Sequence, residues 1–209
     1  GQAKGDAMTI HQTMIVRTLM RWLSSVFLWG TGWKTAGSKP AVDRYVVIAA
    51  PHTSNWDFIY TLALAFHFRL NPKIMMKDAW FRGPLGPVFR WLGALPIDRT
   101  RSRNVVAHSI AAFQRTSRMV LVVPPSGTRR KVAYWKTGFY RIACGAGVPI
   151  ALGFLDYGRK VGGFGPLFHP TGDIDRDMTV IRDFYRPITG KYPARTHQGA
   201  VCPELKPPA

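Results

Sequence analysis

A histidine and an aspartate stand five positions apart, directly after an apolar run. His52 and Asp57 follow residues 45–50, which read Tyr-Val-Val-Ile-Ala-Ala. This run is short, bounded by Arg44 and Pro51 and rich in β-branched side chains, so it predicts a buried strand that ends beside a crevice. Ligands of α/β proteins bind at such strand ends. The position therefore suits a catalytic pair.

The chemistry available to this pair is general-base catalysis. Five residues of ideal helix turn the chain by about 500°, which would leave His52 and Asp57 roughly 140° apart. We therefore expect a loop that enters the first turn of a helix. There the carboxylate can hold one imidazole nitrogen, while the other takes a proton from a hydroxyl group. The alternative is a plain helix start, with Ser54 or Asn55 as the N-cap and His52 an ordinary loop residue.

Three further motifs follow this one along the chain. Residues 93–99 read Gly-Ala-Leu-Pro-Ile-Asp-Arg, residues 124–130 read Pro-Pro-Ser-Gly-Thr-Arg-Arg, and residues 148–152 read Val-Pro-Ile-Ala-Leu. Together with the His-x4-Asp motif they resemble, in order, the four blocks of the glycerolipid acyltransferases, the family of 1-acylglycerol-3-phosphate acyltransferases. The resemblance covers about residues 44–157, which is more than half of the chain.

The resemblance implies an O-acyltransferase. A fatty acyl group would pass from a thioester donor, acyl-CoA or acyl-carrier protein, to the hydroxyl of a lysophospholipid-type acceptor such as 1-acylglycerol-3-phosphate. His52 would be the general base and Asp57 would orient its ring, with no cofactor and no metal. A guanidinium group binds phosphate through two hydrogen bonds, so arginines suit the phosphate of the acceptor. The implied substrate-binding residues are Arg99, Ser126, Gly127, Thr128 and Arg129.

The third block departs from the family pattern at one important position. Ser126 stands where the family has glutamate, and the one glutamate of the chain is Glu204. Pro124 and Arg130 also replace the usual phenylalanine and serine. This leaves open a catalytically weakened, lipid-binding relative, and it leads us to expect that Ser126 influences acceptor choice or rate.

The alternation of strand and helix patterns predicts an α/β fold. We expect a single domain with a mixed, mostly parallel sheet flanked by helices. At 209 residues and 46% hydrophobic, the chain is large enough to bury its core without disulfides. The predicted strands are residues 45–50, 73–77, 119–123 and 149–155, with helices at 102–117, 136–145 and 173–185 and a glycine-rich hairpin around 162–168.

The N-terminal segment predicts an amphipathic helix. Its polar residues between 14 and 31, Arg17 and Arg21 among them, share one arc, and the opposite half is apolar with Trp22 and Trp29. Two arginines argue against a membrane span, so we expect this helix to lie in a membrane surface. A helix packed on the protein's own core is the alternative. The expected division is 1–34 as tail and membrane helix, 35–187 as acyltransferase domain and 188–209 as a proline-rich tail.

The formal net charge of +18 requires an anionic partner. We expect that partner to be a phospholipid surface, with acyl-carrier protein as a further possibility. A nucleic-acid-binding protein is the less favoured alternative, because no recognised binding module is present. The two cysteines form no disulfide framework, which favours a reducing compartment. The expected location is therefore peripheral or monotopic, on the cytoplasmic face of a membrane.

A second apolar segment, residues 80–92, is interrupted by two prolines. Aromatic stripes at this spacing usually belong to the core, so we expect most of its apolar side chains to be buried. Phe81 and Leu85 are the two that could also contact an acyl chain.

Overall fold

A single sheet of seven strands organises the protein. The structure is a computed structural model that describes residues 14–97 and 102–196. The strands are β1 (Lys34–Ala36), β2 (Arg44–Ala50), β3 (Pro72–Lys77), β4 (Ala94–Ile97), β5 (Met119–Val123), β6 (Ile150–Asp156) and β7 (Val161–Phe168). Their order is β1-β7-β6-β2-β5-β3-β4. Every neighbouring pair is parallel except the antiparallel hairpin of β6 and β7.

Six α-helices flank the sheet within residues 14–97 and 102–196. They are α1 (Met14–Gly30), α2 (Trp56–His67), α3 (Gly86–Trp91), α4 (Ser102–Arg115), α5 (Gly138–Ala146) and α6 (Ile174–Tyr185). The prediction of a single α/β domain with a mixed, mostly parallel sheet flanked by helices is confirmed. The 3-10 turns at Asp78–Phe81 and Pro193–Arg195 are the remaining helical elements in this part of the chain.

Alternate residues of the central strand face opposite layers. Val46 and Ile48 of β2 join the larger core cluster, to which α4, α5 and α6 contribute side chains. Tyr45 and Val47 point the other way, into a cluster that α2 closes with Ala65. This period of two is what a strand buried on both faces requires. The predicted strand 45–50 lies within β2, at the centre of the sheet.

Helix α1 packs against α2 with both a serine and an apolar residue, Ser24 and Leu28, buried on its inner side. The Ser25 hydroxyl lies 3.4 Å from His67 Nδ1 of α2. Most apolar residues of the opposite arc are exposed, reaching 63% at Trp22 and 82% at Trp29, whereas Val16, Met20 and Phe27 are half-buried. None of the described helices has the combination of length and hydropathy needed to cross a bilayer. Helix α1 is thus packed on the protein and still presents most of its apolar face outward.

Residues 78–92, which connect β3 to β4 and which we call the aromatic crossover, differ from the expectation. Phe81 is buried, but four other apolar side chains are exposed, so the prediction of a largely buried stripe was wrong. The segment includes Pro84 and Pro87, and α3 has only six residues, too few to bury a continuous stripe. The exposed apolar side chains are Trp80, Leu85, Val88 and Trp91.

Three other parts of the chain refine the sequence analysis. The glycine-rich residues predicted as a hairpin are its second strand, β7, and the turn lies before them. The short edge strands β1 and β4 were not predicted. Residues 188–196, where we expected a tail to begin, pack on the domain: Ile188 is buried and the Tyr192 amide donates to the Thr53 hydroxyl at 3.3 Å.

Candidate active site

The His-x4-Asp segment is both a helix start and a paired site. Asn55 is the N-cap of α2, although its side chain forms no capping hydrogen bond, and Asp57 lies in the first turn. The two interpretations of this segment therefore describe the same loop. Because the loop bends between β2 and α2, His52 Nδ1 comes to 3.1 Å from Asp57 Oδ2.

The Asp57 carboxylate collects four hydrogen bonds. Asp57 is only 3% exposed. Its Oδ2 faces His52 and also accepts hydrogen bonds from the backbone amides of Thr53 at 2.7 Å and Ser54 at 2.9 Å. The hydroxyl of Tyr157 donates to the other oxygen, Oδ1, at 2.8 Å. A buried carboxylate needs this number of donors, since its desolvation would otherwise be costly.

These contacts decide the protonation state of Asp57 and the tautomer of a neutral His52 ring. Burial by itself would raise the pKa of Asp57, but the hydrogen bonds from His52, the Ser54 amide and Tyr157 outweigh it, and the pKa of Asp57 is lowered. An ionised carboxylate only accepts hydrogen bonds, so the neutral His52 ring carries its proton on Nδ1. The lone pair of Nε2 is then free to accept a proton.

Tyr157 is the residue of this group that sequence reasoning missed. It directly follows β6, whose end lies beside the end of β2 because the two strands are parallel neighbours. Burial and the bond to Asp57 both raise the pKa of Tyr157, so it stays protonated and remains a donor. A polar residue after a predicted strand was the available signal. Without the strand order, that signal could not connect Tyr157 to Asp57.

An aromatic cluster packs against the Tyr157 ring. The rings of Trp33 and Tyr60 stack at 4.3 Å between centroids, and the Tyr157 ring meets Trp33 edge-on at 4.9 Å. Trp33 follows α1 and Tyr60 belongs to α2, so the cluster connects the N-terminal helix to the carboxylate. Leu28 of α1 is buried in the same cluster.

A cavity of about 690 Å³ adjoins the pair. His52 and Asp57 line it, and its walls come from α2, from the strands β2, β3, β5, β6 and β7, and from the aromatic crossover. The volume lies within the range of about 300–1,000 Å³ that is typical of small-molecule sites. Most of the lining is apolar, as a site for a hydrocarbon chain requires. Representative apolar lining residues are Ile59, Leu64, Ile74, Met75, Phe154 and Phe164.

The predicted phosphate-binding turn reaches the same cavity in part. Thr128 and Arg129 line it, and the exposed Arg129 is free of carboxylate partners among the described residues. Ser126 does not line the cavity; its hydroxyl donates to the Thr128 carbonyl at 2.7 Å and so closes the turn. Gly127 has φ +63° at this turn, a conformation that favours glycine.

Lys136 adds a cation to this turn that the sequence analysis did not single out. Its amide donates to the Pro125 carbonyl at 2.8 Å, and its side chain lies across Gly127, where a β-carbon would come within 3.4 Å of Lys136 Cδ. Arg99, the remaining predicted phosphate ligand, lies outside the described residues. Within the described ranges, no cluster of three histidine, cysteine or acidic side chains is arranged to hold a metal ion.

Comparisons with known proteins agree with this architecture. The family model described as Acyltransferase matches residues 34–151, more than half of the chain. The crystal structure of PlsC, the 1-acyl-sn-glycerophosphate (LPA) acyltransferase of Thermotoga maritima, is similar in fold, with a TM-score of 0.57 and 15% sequence identity over 82% of this chain and 77% of that one. No significant match was found among curated proteins.

Replacing Tyr157 tests the support of the carboxylate. Tyr157→Phe keeps the ring in its cluster and removes one donor to Asp57. We expect the free energy of unfolding at neutral pH to fall by about 1–2 kcal/mol, since a hydrogen bond to a charged group contributes about 1.5–3 kcal/mol and other donors remain. Urea denaturation, followed by circular dichroism, measures this change.

The pH dependence gives the same experiment a second readout. The pKa of folded Asp57 lies below its ordinary value of 3.8, so its hydrogen bonds stabilise the fold above that value and are lost as pH falls through the folded-state pKa. The Tyr157→Phe penalty should therefore shrink on acidification. Tyr134→Phe, at an exposed tyrosine, is the control and should change little. A penalty of equal size at neutral and acidic pH would contradict a role through the carboxylate.

Proposed function

Because the chain belongs to the Acyltransferase family, we propose that it transfers a fatty acyl group from a thioester to the hydroxyl of a lysophospholipid-type acceptor such as 1-acylglycerol-3-phosphate. Family membership confirms the resemblance that the four motifs indicated. The observation that carries the proposal is the His52–Asp57 pair, held at 3.1 Å on the wall of a largely apolar cavity. The fold shared with PlsC supports the same class of reaction.

In the proposed mechanism His52 acts as general base. Its Nε2 accepts the proton of the acceptor hydroxyl while the hydroxyl oxygen attacks the carbonyl carbon of the thioester. The tetrahedral intermediate then expels the thiolate, which takes the proton from the imidazolium, so the ester and the free thiol are the products. Asp57 keeps the ring oriented and stabilises the transient imidazolium. No covalent enzyme intermediate is needed, because the thioester is already activated.

The two ends of the substrates require different surroundings. The apolar cavity between α2 and the sheet suits the hydrocarbon chains, since burial of each methylene contributes about 0.8 kcal/mol. Arg129 and Thr128, which line the same cavity, suit the acceptor phosphate. Arg99 is assigned to this phosphate by its motif alone. The donor is acyl-CoA or acyl-carrier protein, and the basic surface suits either anionic carrier.

Membrane association through α1 is part of the proposal. A helix that buries Ser24 while Trp22 and Trp29 stay exposed departs from the arrangement expected in water. An anionic phospholipid surface would cover that face, with the chain bound peripherally or monotopically on the cytoplasmic side. Tryptophan is enriched at the boundary between lipid and water. The net charge of +18 adds electrostatic attraction to such a surface.

The competing hypotheses make different predictions. A catalytically weakened, lipid-binding relative is favoured by Ser126, which replaces the family glutamate with a side chain that closes its own turn. Such a protein would bind lysophospholipid without consuming thioester. A nucleic-acid-binding protein would instead bind polynucleotides in a salt-sensitive manner, because its basic side chains would attract the phosphate backbone.

Replacing the proposed base tests the mechanism. We expect His52→Ala to lower turnover by about 10²- to 10⁴-fold or more, the usual contribution of general-base catalysis. Thiol release from an acyl thioester, with lysophosphatidic acid as acceptor, measures the rate, and circular dichroism checks the fold. His108→Ala, at an exposed histidine of α4, is the matched control. Near-normal turnover in His52→Ala would remove that residue from the mechanism.

Restoring the family residue tests the role of position 126. Ser126→Glu places a carboxylate in a turn that carries Arg129 and Lys136. We expect the ratio of kcat/KM between a phosphate-bearing and a neutral lysolipid to change by about tenfold, a difference of roughly 1.4 kcal/mol. Ser126→Ala is the control, because it removes the hydroxyl bond to Thr128 without adding charge. Unchanged kinetics over a panel of acceptors would dismiss the idea.

The proposed lipid contact of α1 is tested by polar substitution. Deleting residues 1–34 would also remove Leu28 and Trp33, which are buried near Tyr60, so a smaller change is preferable. Trp22→Ser with Leu23→Ser should weaken binding to phosphatidylglycerol vesicles by about tenfold or more, because the buried apolar area of an interfacial helix sets its affinity. Vesicle co-sedimentation measures the change. Full binding by the double variant would refute the contact.

A further inference from the structure

We propose that the aromatic crossover, residues 78–92, is a second lipid-docking element, which lies in the surface of an anionic bilayer beside α1. The inference rests on the proposed function, since it assigns the place from which lipid substrates reach the cavity. It concerns a segment far from α1 in sequence, between β3 and β4, which the sequence analysis assigned largely to the core. Four observations support it.

The first observation is exposure. Trp80, Leu85, Val88 and Trp91 lie on the surface, with Leu85 55% exposed. These four side chains come from only twelve consecutive residues, and the Trp80 ring lies 6.0 Å from that of Phe89 in α3, so the two halves of the segment are in contact. Contiguous apolar patches on a protein surface mark interaction sites. The two prolines of the segment restrict it, so the patch is held in place.

The second observation is that the patch lies on the same side of the sheet as α1. Helix α1 packs on α2. At the start of α2, the Phe58 ring contacts that of Phe89 in α3, with 6.5 Å between centroids. The three helices therefore form one layer. Five of the seven tryptophans are exposed, and all five belong to this layer: Trp22, Trp29, Trp56, Trp80 and Trp91.

The third observation is charge. The Arg90 guanidinium lies 5.2 Å from the centroid of the Phe81 ring, and the Lys191 ammonium lies 4.8 Å from that of Trp56. Neither cation pairs with a carboxylate in the described part of the chain. A second copy of a chain with net charge +18 would be repelled, whereas anionic lipid headgroups would be attracted. The combination of rings and cations thus fits a bilayer surface better than a dimer.

The fourth observation is continuity with the cavity. Trp80 and Phe89 of the crossover line it, as do Trp56 and Ile59 of α2. Trp56, Ile59 and Trp80 are also exposed, so the same side chains belong to the outer layer and to the cavity wall. A bilayer seated on this layer would meet the cavity directly. A lysophospholipid could then enter without its acyl chain passing through water.

A double variant, Val88→Ser with Trp91→Ser, made in the whole 209-residue chain tests the crossover. Val88→Ser and Trp91→Ser change exposed side chains that do not line the cavity. We expect the double variant to bind phosphatidylglycerol vesicles about tenfold or more weakly than the unmodified chain, since apolar contact area sets interfacial affinity. Turnover with a short-chain, monomeric acceptor should stay unchanged, whereas turnover with acceptor embedded in vesicles should fall with the binding.

A matched control exists on the opposite side of the sheet. Val180 of α6 is 51% exposed and Val88 is 45% exposed, so Val180→Ser makes the same chemical change away from the proposed layer. It should leave vesicle binding unaltered. Circular dichroism and urea denaturation show whether each variant retains its fold.

Three results would overturn the inference. The first is full vesicle binding by the folded double variant, and the second is an equal loss of vesicle binding in Val180→Ser. The third is that the unmodified chain forms a dimer without lipid and that the double variant does not. Failure of the proposed function is recognised separately, as absence of thioester turnover in the unmodified chain. Vesicle binding is measured without any thioester, so that failure leaves the docking test intact.

Discussion

The buried carboxylate of Asp57 is the constraint on which the site depends. An ionised group at 3% exposure is stable only where donors replace the water it has lost. Those donors come from the loop after β2, from His52 and from the residue that follows β6. The same group therefore fixes the start of α2, the orientation of the imidazole and the junction of two strands. Loss of its charge would weaken all three together.

The second organising feature is the set of large apolar side chains that the outer helical layer leaves exposed. In a helix that faces water, polar side chains lie outside and apolar ones inside. Helix α1 has Ser24 buried and Trp29 exposed, and the aromatic crossover also leaves tryptophans uncovered. The opposite side of the sheet is ordinary, with apolar side chains of α4, α5 and α6 buried in the core. The protein thus has one conventional face and one on which several large apolar side chains remain exposed, and the cavity lies beneath the latter.

The sequence predicted the parts of this structure that depend on local pattern. The apolar run before His52 identified the central strand, and the five-residue spacing to Asp57 required the bend that brings the two side chains together. Tyr157 was missed because its neighbour in space is 100 residues away along the chain. The prediction for the crossover was wrong because a stripe of aromatic residues gives the same sequence pattern whether it faces the core or the protein surface. Burial is a property of the tertiary fold, and periodicity alone does not determine it.

The order of the strands has a consequence for the biosynthesis of the protein. The central strand β2 is completed by β5 and β6, which begin at residues 119 and 150, so both of its neighbours leave the ribosome long after it does. Helix α1, by contrast, precedes every strand of the sheet along the chain. Non-local pairing of this kind is slow, and domains form only when their last strands are available. With the membrane contact proposed above, the exposed apolar side chains of α1 would be available to a bilayer before β5 and β6 are synthesised, and the domain would complete its folding at the membrane surface.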